Sequence, residues 1–132
     1  MEDYVTSEQA KILKELGFDW ECNHWYHPLE PDKIIECQTY CNHNSFERPY
    51  SAPTLAQAQK WLREKYKLWL EPTICISNVN RYSCDIYDLK TADEENYMDG
   101  PTTEIEDTFD NPEQALSAGI GKALELLKQE NK

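Results

Sequence analysis

Three stretches of the chain space their apolar residues at a helical interval, and each is introduced by the same polar signature. Thr6, Thr54 and Asn111 each stand three residues before a glutamine: Gln9, Gln57 and Gln114. That is the spacing of a capping box, in which two side chains satisfy backbone N–H groups left orphaned at a helix start. Pro112 falls at the first helical position of the third stretch, where its missing N–H does no harm. The apolar positions that follow are Ile12, Leu13 and Leu16; then Leu55, Ala58, Leu62 and Tyr66 with Trp61 alongside; then Leu116, Ile120, Ala123, Leu124 and Leu127. Each set fits a period of about 3.6 and predicts one buried helical face. Gly17 stops the first helix at a position that favours a left-handed cap. Gly119 and Gly121 weaken the third helix locally, so close packing against a neighbour is expected to offset their cost.

Between the helices the period shortens towards two. Residues 20–26 and 33–40 are strand candidates, and residues 68–77 and 81–89, rich in Ile, Leu, Tyr and Trp, are stronger ones. The last two flank Asn78, Val79 and Asn80, a polar turn of hairpin length. Pro72 inside the first of that pair predicts an edge strand or a bulge. A further short strand is expected within residues 103–109. The pattern predicts one α+β domain over residues 1–132: an antiparallel sheet of four to five strands with three helices packed on it.

Charge changes the picture. The formal net charge is −12, and residues 88–110 hold nine carboxylates against Lys90 alone, a local −8. Such a chain repels phosphate backbones, which disfavours nucleic acid as a partner. The one basic cluster, Lys60, Arg63, Lys65 and Lys67 with Glu64 inside it, has the pattern of a solvated helix face. Within the acidic segment, Asp93, Glu94, Glu95, Glu104, Glu106 and Asp107 are the candidate residues for meeting a basic protein. A solvated loop is the plainer account of the same charge run, and residues 93–100 lack the alternation of a calcium-binding EF-hand loop.

All three histidines and three of the five cysteines lie between Cys22 and His43. Cys22, His24, Cys37 and Cys41 are candidate ligands of a structural zinc, although neither cysteine pairing has the spacing of a zinc knuckle. The other account of these residues is strand packing, with His43 in a polar loop. Cys22 and His24 share a face if their strand is regular, but no motif of nucleophilic catalysis accompanies them. The rings of Trp20, Trp25, Tyr26, Trp61, Tyr66 and Trp69 could stack on bases or sugars, or simply pack. No nucleotide loop, ordered triad or metalloprotease motif occurs in the sequence, so an enzyme is not expected. Met1 to Tyr4 lack a basic export signal, and no apolar run approaches the ~20 residues of a membrane span, so reduced thiols and a cytoplasmic location are expected.

Residues 5–18 (VTSEQAKILKELGF), 51–66 (SAPTLAQAQKWLREKY) and 113–124 (EQALSAGIGKAL), with a Leu/Trp/Ile strand pair and Phe109 between the last two, carry a resemblance. They resemble a group of small uncharacterised proteins from phages and prophages of gut anaerobic bacteria. The resemblance implies a phage or prophage origin and the cytoplasm of a bacterial host, and it supplies no activity, ligand or catalytic residue. Together these features predict a non-enzymatic accessory protein that binds a basic partner through its acidic segment. The alternative is a small recognition domain built around a structural zinc within residues 22–43.

Overall fold

The computed structural model describes residues 3–75, 78–89, 103–104 and 108–130, with backbone alone at 78–80 and 103–104. The protein is α+β. Its elements run α1 (Ser7–Glu15), β1 (Cys22–His27), β2 (Glu30–Cys41), a 3-10 turn (His43–Ser45), β3 (Tyr50–Ser51), α2 (Leu55–Tyr66), β4 (Leu68–Cys75), β5 (Asn78–Asp88), β6 (Thr103–Glu104) and α3 (Pro112–Glu130). None of the helices among the described residues is long and apolar enough to cross a membrane.

All three caps form where the sequence placed them. Thr6 and Gln9 make the full reciprocal box, as do Thr54 and Gln57. At α3 Asn111 accepts from the Gln114 N–H at 2.8 Å, while the glutamine side chain reaches one residue further back and accepts from the Asp110 N–H. The end of α1 is a Schellman motif: Gly17 sits at φ 92°, its N–H bonds Lys14 O, and the Phe18 N–H bonds Leu13 O. The buried face of α1 is rotated from the expected one. Gln9, Ala10 and Leu13 are buried, whereas Ile12 and Leu16 are half-buried, because the Gln9 amide spends its polarity in the cap.

The strands form two antiparallel three-stranded sheets, ordered β2-β1-β3 and β4-β5-β6. This corrects the expected single sheet of four to five strands. The two-residue strands β3 and β6 occupy the open sides of β1 and β5, so each hairpin completes its own sheet. Asn78, Val79 and Asn80, expected as the turn, belong instead to β5, and Cys75 pairs with Asn78. The register shifts between the pairs Ile74 with Tyr82 and Cys75 with Asn78, so the end of this hairpin is irregular. Pro72 lies on β4, an edge strand, where the missing N–H costs no ladder bond on the open side.

The chain divides into two compact units, residues 1–58 with 124–132, and residues 59–123. In the first, α1 lies along β2 and β3, and Val5, Leu13 and Phe18 are fully buried. The Lys14 ammonium donates to the carbonyls of Phe46, Glu47 and Pro49 at 2.7–2.9 Å, gathering the segment ahead of β3 around one cation. In the second, Leu70, Cys84 and Ile86 form the buried face of the sheet, and Gly119 of α3 lies against Cys84.

Candidate functional site on an acidic and aromatic sheet face

Side chains alternate across a strand, and residues opposite one another in a ladder share a face. In the second sheet Leu70 pairs with Ile86 and Pro72 with Cys84, which fixes the buried side. The other side follows from the same register. Trp69 stands opposite Tyr87, and Glu71 opposite Asp85. Asp85 in turn stands opposite Glu104 of β6. An aromatic row therefore runs beside a row of three acidic residues, one from each strand.

Like charges directly opposite one another are destabilising, by a few tenths to about 1 kcal/mol per pair. This sheet sets Glu71 and Asp85 opposite one another in that way. Their field also reaches the far side of the sheet. The Cys84 thiol is pushed up to about 12, first by its burial and then by the negative charge of Asp85, with Glu71 adding to it through space while its backbone offsets part of the rise.

The ring of Trp69 is held from two directions. Its indole N–H donates to Glu71 Oε2 at 2.7 Å, and the Arg63 guanidinium of α2 lies 5.2 Å from its centroid. That second contact is a cation–π interaction, so this ring already accepts a guanidinium. Trp69, Glu71, Tyr87 and Leu89 line an open groove of about 410 Å³. Trp69 and Leu89 are each more than a third exposed, among the large apolar residues that remain at the surface.

Of the acidic segment, Glu104 falls on this face by register, whereas Asp88 pairs with Leu68 and falls on the buried side. Asp88 closes β5 and Glu104 lies in β6, while Asp93, Glu94, Glu95, Glu106 and Asp107 fall outside the described residues. Where the chain returns, Arg81 of β5 pairs with Asp110 and bonds both the side chain and the carbonyl of Thr108. Tyr82 and Phe109 exchange backbone hydrogen bonds at 2.8 Å next to it. Both ends of the segment are thus tied to β5.

The Cys/His candidates do not come together as one ligand set. Cys22 and Cys41 are register partners across β1 and β2. The His24 ring packs at a tilt against Tyr4, with centroids 4.2 Å apart, and bonds Asn23, while Cys37 bonds Thr39. The Thr39 hydrogen bonds hold the Cys37 thiol below its usual range. His43 opens the polar 3-10 turn between β2 and β3, and its side chain is buried. Its Nε2 lies 2.9 Å from the Cys22 carbonyl, its ring stacks on Trp25, and the Cys41 sulfur rests against it at 3.4 Å. No group of three or more His, Cys, Asp or Glu side chains arranged to hold a metal ion occurs among the described residues.

Of the aromatics singled out in the sequence, Trp61 is buried, and Trp69 is the one that lines the groove. Glu71, Asp85 and Tyr87 escaped the sequence reading. Their signal was there as two mirrored pairs, Trp69-x-Glu71 and Asp85-x-Tyr87, which match only in an antiparallel hairpin. No family model, curated protein or solved structure matches the chain.

Proposed function

We propose that this chain is a non-enzymatic interaction protein that binds a basic segment of a protein partner on the outer face of β4, β5 and β6. The row Glu71, Asp85 and Glu104 carries this reading. A sheet shaped for stability alone separates like charges or places opposite charges across a ladder. A cationic guest turns the same row from a cost into an attraction, and Trp69 adds a ring face for a guanidinium or ammonium. Residues 88–110 add a local charge of −8 to the chain, which speeds the approach of a basic partner. The resemblance to phage and prophage proteins supports seeking that partner among the basic proteins of a bacterial host.

The test is a calorimetric titration with a short arginine-rich peptide and its citrulline counterpart, which keeps shape and loses charge. The arginine peptide should bind, more weakly as salt is added, and the citrulline peptide should not. The double variant Glu71→Gln with Asp85→Asn should weaken binding by about tenfold or more, equivalent to about 1.4 kcal/mol. Converting Asp93, Glu94, Glu95, Glu104, Glu106 and Asp107 to amides should slow association. Equal affinity for both peptides, or undiminished binding by the double variant, contradicts the proposal.

A further inference from the structure

The five cysteines of the chain are free thiols, and two of them face each other. Cys22 opens β1 and Cys41 closes β2, and the antiparallel register makes them direct partners. Partners in such a ladder have Cα atoms about 4.5–5.5 Å apart, inside the range of about 4.4–6.8 Å that a disulfide spans. One ring touches both residues. His43 Nε2 lies 2.9 Å from the Cys22 carbonyl, which can only accept, so Nε2 carries the hydrogen. The Cys41 sulfur lies 3.4 Å from Nδ1 and 3.6 Å from Nε2. Nearly equal distances to the two nitrogens set the sulfur over the ring rather than in its plane. The ring thus packs against the Cys41 sulfur on the same residue pair.

Access divides the pair into two roles. Cys41 is half-buried and open to a small molecule, whereas Cys22 is 2% exposed and its thiol is pushed up by burial. The register also sets Cys37 apart. Between the pairings Cys22 with Cys41 and His24 with Glu36, the β2 segment holding Cys37 bulges out of the ladder.

We infer that Cys22 and Cys41 form a reversible intramolecular disulfide when the protein meets a hydroperoxide. The Cys41 thiolate attacks the peroxide oxygen, breaking the O–O bond and leaving a sulfenic acid and one molecule of water or alcohol. The Cys22 sulfur then attacks the Cys41 sulfur, the S–O bond breaks, and water leaves as the S–S bond forms. The two thiol hydrogens end in the released oxygen products. The two sulfurs give up two electrons, which reduce the peroxide. Exchange with an added dithiol restores both thiols.

The experiment treats the intact protein with hydrogen peroxide, blocks the remaining thiols in denaturant, and maps the peptides. Cleavage at Lys33 and Tyr40 places Cys22, Cys37 and Cys41 on separate fragments. The expected result is the loss of two of the five thiols, a mass lower by two hydrogen atoms, and a linked peptide joining Cys22 to Cys41. The link should vanish on reduction with dithiothreitol and persist in Cys37→Ser. A bond that includes Cys37, a link between two chains, or Cys41 driven to sulfinic acid with Cys22 still free overturns the inference.

Discussion

Gly119 shows how a single missing methyl group can be decisive. In an exposed helix interior, glycine to alanine gains about 1 kcal/mol from propensity. Here a Cβ at Gly119 would overlap the sulfur of Cys84 and stand 3.1 Å from its Cβ. Cys84 is fully buried, so its side chain has nowhere to retreat. Gly119→Ala should therefore destabilise the protein by about 1–3 kcal/mol, the range for an overfilled core. Adding Cys84→Ala should recover much of that loss, because the obstructing sulfur is gone. Urea unfolding of the two variants and the parent checks both points. A more stable Gly119→Ala would mean that α3 does not approach β5 here. The glycine's cost to the helix was readable in the sequence, but its packing partner was not. Cys84 lies 35 positions away, and nothing local names it.

At the scale of elements, what was legible is what is local. The caps and the left-handed stop of α1 at Gly17 depend on residues three to five apart, and they formed as read. Pairing between distant strands is set elsewhere. β3 is two residues long and gains its place from β1, and it carries no period of its own. The hairpin of β4 and β5 was read with its turn on Asn78 to Asn80, which would set Glu71 opposite Tyr87. The actual register moves the pairs from Leu68 to Ile74 along by two residues, preserving the faces and aligning Glu71 with Asp85. The acidic row was hidden by that shift rather than by any lack of signal. The junction between α2 and β4 offers a direct prediction. Lys67 adopts φ 58°, its N–H bonds Arg63 O, and its carbonyl receives the Leu89 N–H. A left-handed conformation costs a non-glycine residue about 1–2 kcal/mol. Lys67→Gly keeps both backbone bonds and relieves that cost, less the entropy glycine loses on folding. It should raise stability by about 0.5–1 kcal/mol, read from the urea midpoint. A loss of stability would show that the lysine side chain outweighs its backbone strain.

For the whole molecule, charge is the organising property. Of the net −12, a share of −8 lies between the last residue of β5 and the approach to α3. Both ends of that stretch belong to the unit of residues 59–123, which also bears the row of Glu71, Asp85 and Glu104. Composition revealed the excess charge, but the sheet register was needed to show that it continues across three strands beside an exposed tryptophan. The most direct test is a map of backbone amide shifts as the arginine-rich peptide is titrated into isotope-labelled protein. The account predicts shifts concentrated on residues 68–75 and 81–89, with the indole N–H of Trp69 among the largest, and their disappearance at high salt. Shifts centred on β1 and β2, or none at all, would contradict it.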